Sequence, residues 1–223
     1  KGPGAVQNYT FVGTPNDGDI TSNISAGFSS LLGNPYPSAL DSQAFFTTNS
    51  AVVKTLYFWE HTGDSGNHNI AGYIGGYGLL NASMGLAGTA PSFDDTIGGQ
   101  GEGITYHTPG RYIPVAQGFF VEATNAGGTI TFNNSQRAYR AENDEGGSDS
   151  FFFKGANTNT LPILKIGFDY INDQNLELHR QIGISFKSGN TFKSDTGFDS
   201  EAFDFDSSDI YLKFEGNREN FII

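Results

Sequence analysis

The sequence predicts an all-β fold, an antiparallel β-sandwich of jelly-roll-like form with long loops and little helix. Three observations carry this. Thirty glycines stand beside 20 phenylalanines, a pairing that suits short strands joined by abrupt turns. The chain breaks into roughly ten short alternating or β-branched runs at sandwich spacing. Residues 111–137, RYIPVAQGFFVEATNAGGTITFNNSQR, read as two extended runs, 112–123 and 129–133, joined in a hairpin by Asn125-Ala126-Gly127-Gly128. In the first run Phe119 and Phe120 face opposite sides, as in a central strand buried on at least part of both faces.

The elements follow in order. Residues 9–13 read as a strand, 14–19 as a turn, and 20–24 with 27–32 as a further strand and its approach. Pro35 and Pro37 exclude helix at Asn34 and Tyr36 and make Tyr36-Pro37 a candidate cis bond. A short helix is expected within 38–49, capped by Ser38. Residues 54–60 (KTLYFWE) are the clearest strand, with Leu56, Phe58 and Glu60 on one side and Tyr57 and Trp59 on the other. After a polar loop, residues 70–80 resume as strand with a bend at Gly75-Gly76. Residues 81–108 are Gly-rich and irregular, and 138–150 are an acidic connection. Strands are expected again at 151–154, 161–170, 180–187 and 209–215. No linker and no fixed repeat divides the chain, so residues 1–223 are expected to form a single domain.

The net charge is −12 with only 16% charged residues, so the acidity is concentrated. It argues against a nucleic-acid backbone or an anionic membrane as partner. No apolar run approaches the roughly 20 residues of a membrane helix, so membrane insertion is not expected. Without cysteine the chain has no disulfide, thiolate metal site or Cys nucleophile. The sequence starts at Lys1 without Met and carries no secretory leader, which suggests a piece of a larger multidomain protein.

Several segments in fixed order carry a resemblance: YTFVGTPNDGDI (9–20), LLGNPYPSALD (31–41), LYFWEH (56–61), RYIPVAQGFFVEA (111–123), ITFNNSQR (130–137), RQIGISF (180–186), DTGFDSEAFD (195–204) and DIYLKFEG (209–216). Together they resemble a β-rich module near the C-terminal end of large secreted surface proteins of Bacteroidetes, particularly flavobacteria, exported by the type IX secretion system. The resemblance covers nearly the whole chain. It implies an extracellular or cell-surface location beside neighbouring domains of the same chain, often adhesive or polysaccharide-related, and it brings no catalytic residue set.

Two residue groups are candidate sites. Asp199, Glu201, Asp204, Asp206 and Asp209 place hard oxygens close along an extended segment, as Ca²⁺ requires; the competing reading is a solvated acidic loop. Asp94-Asp95 and Asn143-Asp144-Glu145 are weaker sites of the same kind. Tyr57, Trp59, Tyr73, Tyr77, Tyr106 and Tyr112 are candidate ring faces for a sugar, although Tyr57 and Trp59 share one strand face, which predicts a core position. His61, His68, His107 and His179 have no zinc spacing. Glu60, Glu102 and Glu122 are the carboxylates a glycosidase pair would draw on, and no hydrolase or phosphate-loop motif accompanies them. Arg137 and Arg140 are expected to brace the acidic connection.

These readings converge on a non-catalytic extracellular module acting in adhesion or domain presentation. The alternative is a carbohydrate-binding module that targets polysaccharide, with calcium as a candidate cofactor. A glycan-active enzyme ranks third.

Overall fold

The computed structural model describes residues 10–61, 75–91, 107–140, 161–173, 177–214 and 219–223. The first strands are β1 (Ile20–Ile24), β2 (Ser29–Gly33) and β3 (Ala39–Asp41), followed by helix α1 (Ser42–Thr48). Next come β4 (Val53–His61), β5 (Gly75–Leu80), β6 (Gly85–Leu86), β7 (Ala90–Pro91) and β8 (Tyr112–Ile113). The last are β9 (Gly118–Ala123), β10 (Gly128–Phe132), β11 (Arg137–Ala138), β12 (Ile163–Ile171) and β13 (Glu177–Ser185), with a 3-10 turn at Asn134–Gln136. The described strands pair antiparallel throughout, and the fold is all-β as the sequence predicts. The sheets are β2-β9-β4-β5-β6, β11-β3-β8, β12-β13-β7 and the pair β1-β10; these pairings do not establish a jelly-roll strand order.

The stretch 111–137 departs from the expected hairpin. β9 pairs with β2 and β4, whereas β10 pairs with β1. The two strands form one side of a ribbon that bends from one sheet into another, and β1 and β2 form the other side. Pairing resumes across the bend one residue out of register, from Ile24 opposite Gly128 to Ser29 opposite Glu122. Gly27 N–H donates to Thr124 O at 3.0 Å and Ala123 N–H to Phe28 O at 2.9 Å, which locks the two bends together. Gly127 sits in this corner at φ 61°, and a Cβ there would lie 2.5 Å from Ala26 N. The glycine thus serves a sheet-crossing corner rather than a hairpin tip. The first run also ends early: beyond Ile113 a turn at Pro114 brings Ala116 to φ 61° and Gln117 N–H to Pro114 O.

Bending sends the apolar residues of β10 over the opposite layer. Leu56, Phe58, Phe119 and Val121 from the five-stranded sheet pack with Phe45 of α1 and with Ile130 and Phe132 of β10 in one core. On the other face Tyr57, Leu79 and Leu86 pack with Ile182, Ala202, Ile222 and Ile223 in a second. β4 and β9 are therefore covered on one face and over part of the other, and Phe119 and Phe120 do point apart.

The Gly-Asn-Pro-Tyr-Pro segment is a structural clamp. Asn34 Nδ2 donates to Ser38 O, Ile113 O and Pro114 O, while Oδ1 accepts from Tyr36 N–H. Tyr36 is buried and its hydroxyl donates to Gly18 O at 2.6 Å. Among the described residues no peptide bond is cis, so Tyr36-Pro37 is trans. Helix α1 is capped by Asp41 rather than Ser38: its carboxylate accepts from Gln43 N–H and Ala44 N–H and takes the Arg111 guanidinium at 2.9 and 2.7 Å. A carboxylate satisfies both the orphan amides and the cation, which a serine hydroxyl could not.

Two expected strands are absent. Residues 10–13 are irregular, and of the expected strand at 209–215 the described residues 209–214 contribute a single bridge, Leu212 to Phe221. The expected strand at 151–154, the start of that at 70–80, and the sites at Asp94-Asp95 and Asn143-Asp144-Glu145 lie outside the described residues. The C-terminal segment is fixed instead by a charge. Arg180 of β13 is fully buried, with Nε 2.5 Å from Asp209 Oδ1 and NH2 donating to Asp204 O at 2.8 Å. Phe205 covers the guanidinium at 4.9 Å. Removing Asp209, the buried carboxylate, would leave the buried Arg180 only the half-exposed Asp204 carboxylate at 3.3 Å. Asp209→Ala is accordingly expected to lower unfolding free energy by about 3–5 kcal/mol, measured by urea denaturation.

Candidate functional site

An extra residue in β4 shapes the surface with the most chemistry. Val53 faces Ala123 and Thr55 faces Glu122, so Lys54 is a bulge in the β4–β9 ladder. A bulge turns two consecutive side chains to one side. Both meet the C-terminal segment: Thr55 Oγ1 lies 2.9 Å from Ser200 Oγ, and Lys54 Nζ lies 3.5 Å from Glu201 Oε1. Lys54 also lies 3.4 Å from Glu122 Oε1. The Tyr57 hydroxyl is 2.9 Å from Glu122 Oε2 and 3.0 Å from Glu201 O. Asn81 Nδ2 donates to Phe198 O and Ser200 Oγ, completing the seam.

The electrostatics follow from burial. Burial pulls the Lys54 ammonium down, but Glu122 and Glu201 outweigh it and hold the pKa above its ordinary value. Burial, reinforced by the Glu122 charge, pushes the Tyr57 hydroxyl well above its ordinary value. Burial also raises Glu201, with Lys54 offsetting part of the rise. This group borders a cleft of about 720 Å³ whose wall includes Ser29, Lys54, Glu122, Glu201, Phe203 and Glu219. With three carboxylates against one ammonium, the cleft disfavours anionic ligands.

Beside the cleft the same sheet face carries exposed rings. Trp59 stands opposite Tyr77 across β4 and β5, with ring centroids 4.9 Å apart and edge-to-face. Tyr77 meets Phe120 at 6.0 Å, and Phe120 faces Leu31 across β2 and β9. Tyr57 lies against Phe203 at 5.2 Å. Trp59 was expected in the core with Tyr57, and the structure separates them: Tyr57 is 4% exposed and Trp59 42%. The segment carrying Glu201 and Phe203 covers Tyr57.

Of the aromatic candidates, Trp59 and Tyr77 are brought together. Tyr112 is elsewhere, on β8, its ring covered by the guanidinium of Arg140 at 3.9 Å and its hydroxyl accepting from the same group. Tyr73 and Tyr106 lie outside the described residues. Arg137 pairs with Asp17 at 2.9 Å and stacks on Tyr36; the acidic connection from residue 141 onward is outside the described part.

The acidic candidates go to separate partners. Glu201 meets Lys54, Asp204 and Asp209 meet Arg180, Asp206 accepts from Tyr170 at 3.4 Å, and Asp199 accepts from Asp195 N–H. Among the described residues no three His, Cys, Asp or Glu side chains are grouped to hold a metal ion. Glu60 is engaged by His107, Nδ1 to Oε1 at 2.5 Å, and shares the face of Leu56 and Phe58, opposite to Glu122. Glu102 is outside the described residues. Sequence reasoning missed Lys54 and the Glu122–Glu201 convergence, since 147 residues separate Lys54 from Glu201 and no local pattern marks the bulge.

Burial raises the Asp199 carboxyl to about 6, aided by the Asp195 charge and opposed by the Asp195 amide. The folded protein therefore binds that proton more tightly than the unfolded chain, and stability from this group grows as pH falls through 6. Asp199→Asn keeps an acceptor oxygen without the titration. Between pH 7 and pH 5 the wild-type Tm is expected to rise relative to that of this variant, as followed by thermal melts.

No curated protein and no solved structure matches the chain. Residues 2–223 match a family model described as a domain of unknown function (DUF8693), and the chain belongs to that family.

Proposed function

We propose that the chain is a non-catalytic extracellular module of a secreted bacterial protein that adheres to polysaccharide through the outer face of its five-stranded sheet. The observation that carries this is the exposed Trp59–Tyr77 pair, continued by Phe120 and Leu31 toward the cleft. Large rings left in water beside polar side chains are what sugar recognition uses: C–H faces rest on the rings, and hydroxyls find carboxylates and ammonium. Lys54, Glu122 and Glu201 supply such groups at the end of the strip. The excess of carboxylates favours neutral or amino-bearing glycans over acidic ones. The resemblance to type IX-exported surface modules supports the extracellular setting.

Affinity electrophoresis against a panel of soluble polysaccharides tests this, with calcium and again with chelator. One neutral or amino-bearing glycan is expected to retard the protein in both conditions. Trp59→Ala and Tyr77→Ala are each expected to weaken retention about tenfold, the worth of about 1.4 kcal/mol, while Tm falls by only a few degrees. Retention unchanged in both variants would remove the strip from the binding site. Retention that needs calcium would shift attention to the Asp-rich segment.

A further inference from the structure

A second surface, remote in sequence from the aromatic strip, has the chemistry of a self-association edge. β12 lies at the end of its sheet, and among the described residues only β13 pairs with it. Its ladder with β13 runs without a register shift from Ile163 opposite Ser185 to Ile171 opposite Glu177. Edge strands of this length are ordinarily blunted by proline, bulges or outward charge, because their free amides and carbonyls pair with other chains. β12 has no proline and no bulge. One face carries Leu164, Ile166 and Phe168, which are 47%, 38% and 36% exposed, and Phe168 stacks on Tyr170.

The sequence of the strand, ILKIGFDYI, is close to self-complementary when reversed about Gly167. Antiparallel pairing of two copies centred there sets Ile166 against Phe168, Leu164 against Tyr170 and Ile163 against Ile171. The only charged residues of the strand, Lys165 and Asp169, fall opposite one another twice. Any shift of register by two residues loses both charge pairs. Lys165 also donates to Gly85 O at 3.0 Å, and Asp169 holds His179 Nδ1 at 2.6 Å. The Asp169 side chain remains 58% exposed, and both residues share the strand face away from the apolar row.

We propose that β12 is a homotypic docking edge, through which a second copy of this chain joins antiparallel about a two-fold axis at Gly167, with Lys165 of each copy facing Asp169 of the other. The joined sheet is continuous across the axis, and the apolar rows of the two copies form one patch. A nine-residue edge buries less than a permanent dimer needs, so the association is transient and concentration-dependent. It suits a surface module whose avidity rises when many copies are displayed together.

Sedimentation velocity across a concentration series tests this with the intact domain. The wild type is expected to shift from monomer to dimer. Lys165→Glu and Asp169→Lys each set like charges opposite one another twice, and each is expected to weaken dimerisation about tenfold or more. An equimolar mixture of the two variants restores both attractive pairs and is expected to dimerise like the wild type. Ile166→Lys, at an exposed position, disrupts the apolar row without touching the contacts to Gly85 or His179, and should also remain monomeric. Circular dichroism confirms that each variant is folded. A wild type that stays monomeric at all concentrations overturns the proposal, as do single charge variants that dimerise unimpaired or a mixture that fails to recover.

Discussion

The β4–β9 ladder, with its extra residue at Lys54, is the constraint on which the rest of the structure depends. Its inner side chains, Leu56, Phe58, Phe119 and Val121, form the floor of one core; Tyr57 on the outer side anchors the other. Without the bulge, strict alternation would turn Thr55 inward with Val53, and the seam to Ser200 would lose a partner. With it, Lys54, Thr55 and Tyr57 together face residues 200 and 201. The C-terminal segment is thereby placed over Tyr57, while Trp59 on the same face is left in water.

Buried polar groups set this placement more than they add to stability. An ammonium between two carboxylates gives up hydration that its pairing only partly returns, and the same holds for Arg180 with Asp204 and Asp209. Their effect is selective. A slide of the C-terminal segment along the sheet would take Glu201 from Lys54 and Ser200 from Thr55 and leave Asn81 facing no acceptor, at the desolvation cost of each group left unpaired. Apolar contacts among Ile182, Ala202, Ile222 and Ile223 tolerate many arrangements; the hydrogen-bonded seam tolerates one.

How much of this was legible in the sequence depends on the range over which each feature is set. β4 could be read to within a residue because Leu56, Phe58, Tyr57 and Trp59 alternate locally. The corner at Asn125-Ala126-Gly127-Gly128 has the sequence of a hairpin because a sheet-crossing turn asks for the same positive-φ residues, and only the distant partner strands distinguish the two. Ser38 stands at the start of the stretch and reads as the cap, whereas Asp41's duty to Arg111 is invisible locally. At the candidate site the residue types in β4 and β5 were visible. Their exposure was not, because it is governed by a segment about 140 residues further on. The acidic run between 199 and 209 looked like a single cluster, but Arg180 and Lys54 draw its members apart.

The surface that results has two kinds of chemistry side by side on one rigid sheet: rings standing in water, and a carboxylate-rich cleft held in place by a bulge. Rigid strands keep such groups at fixed spacing, which lowers the ordering cost of gripping an extended polymer. Trp59 is the only tryptophan in the chain, so its emission reports on this surface without labels or substitutions. The direct measurement is a fluorescence titration of the unmodified protein with a retained glycan. The account predicts a saturable change in Trp59 emission with the same midpoint as binding. Saturable binding with Trp59 emission unchanged would place the ligand elsewhere and contradict it.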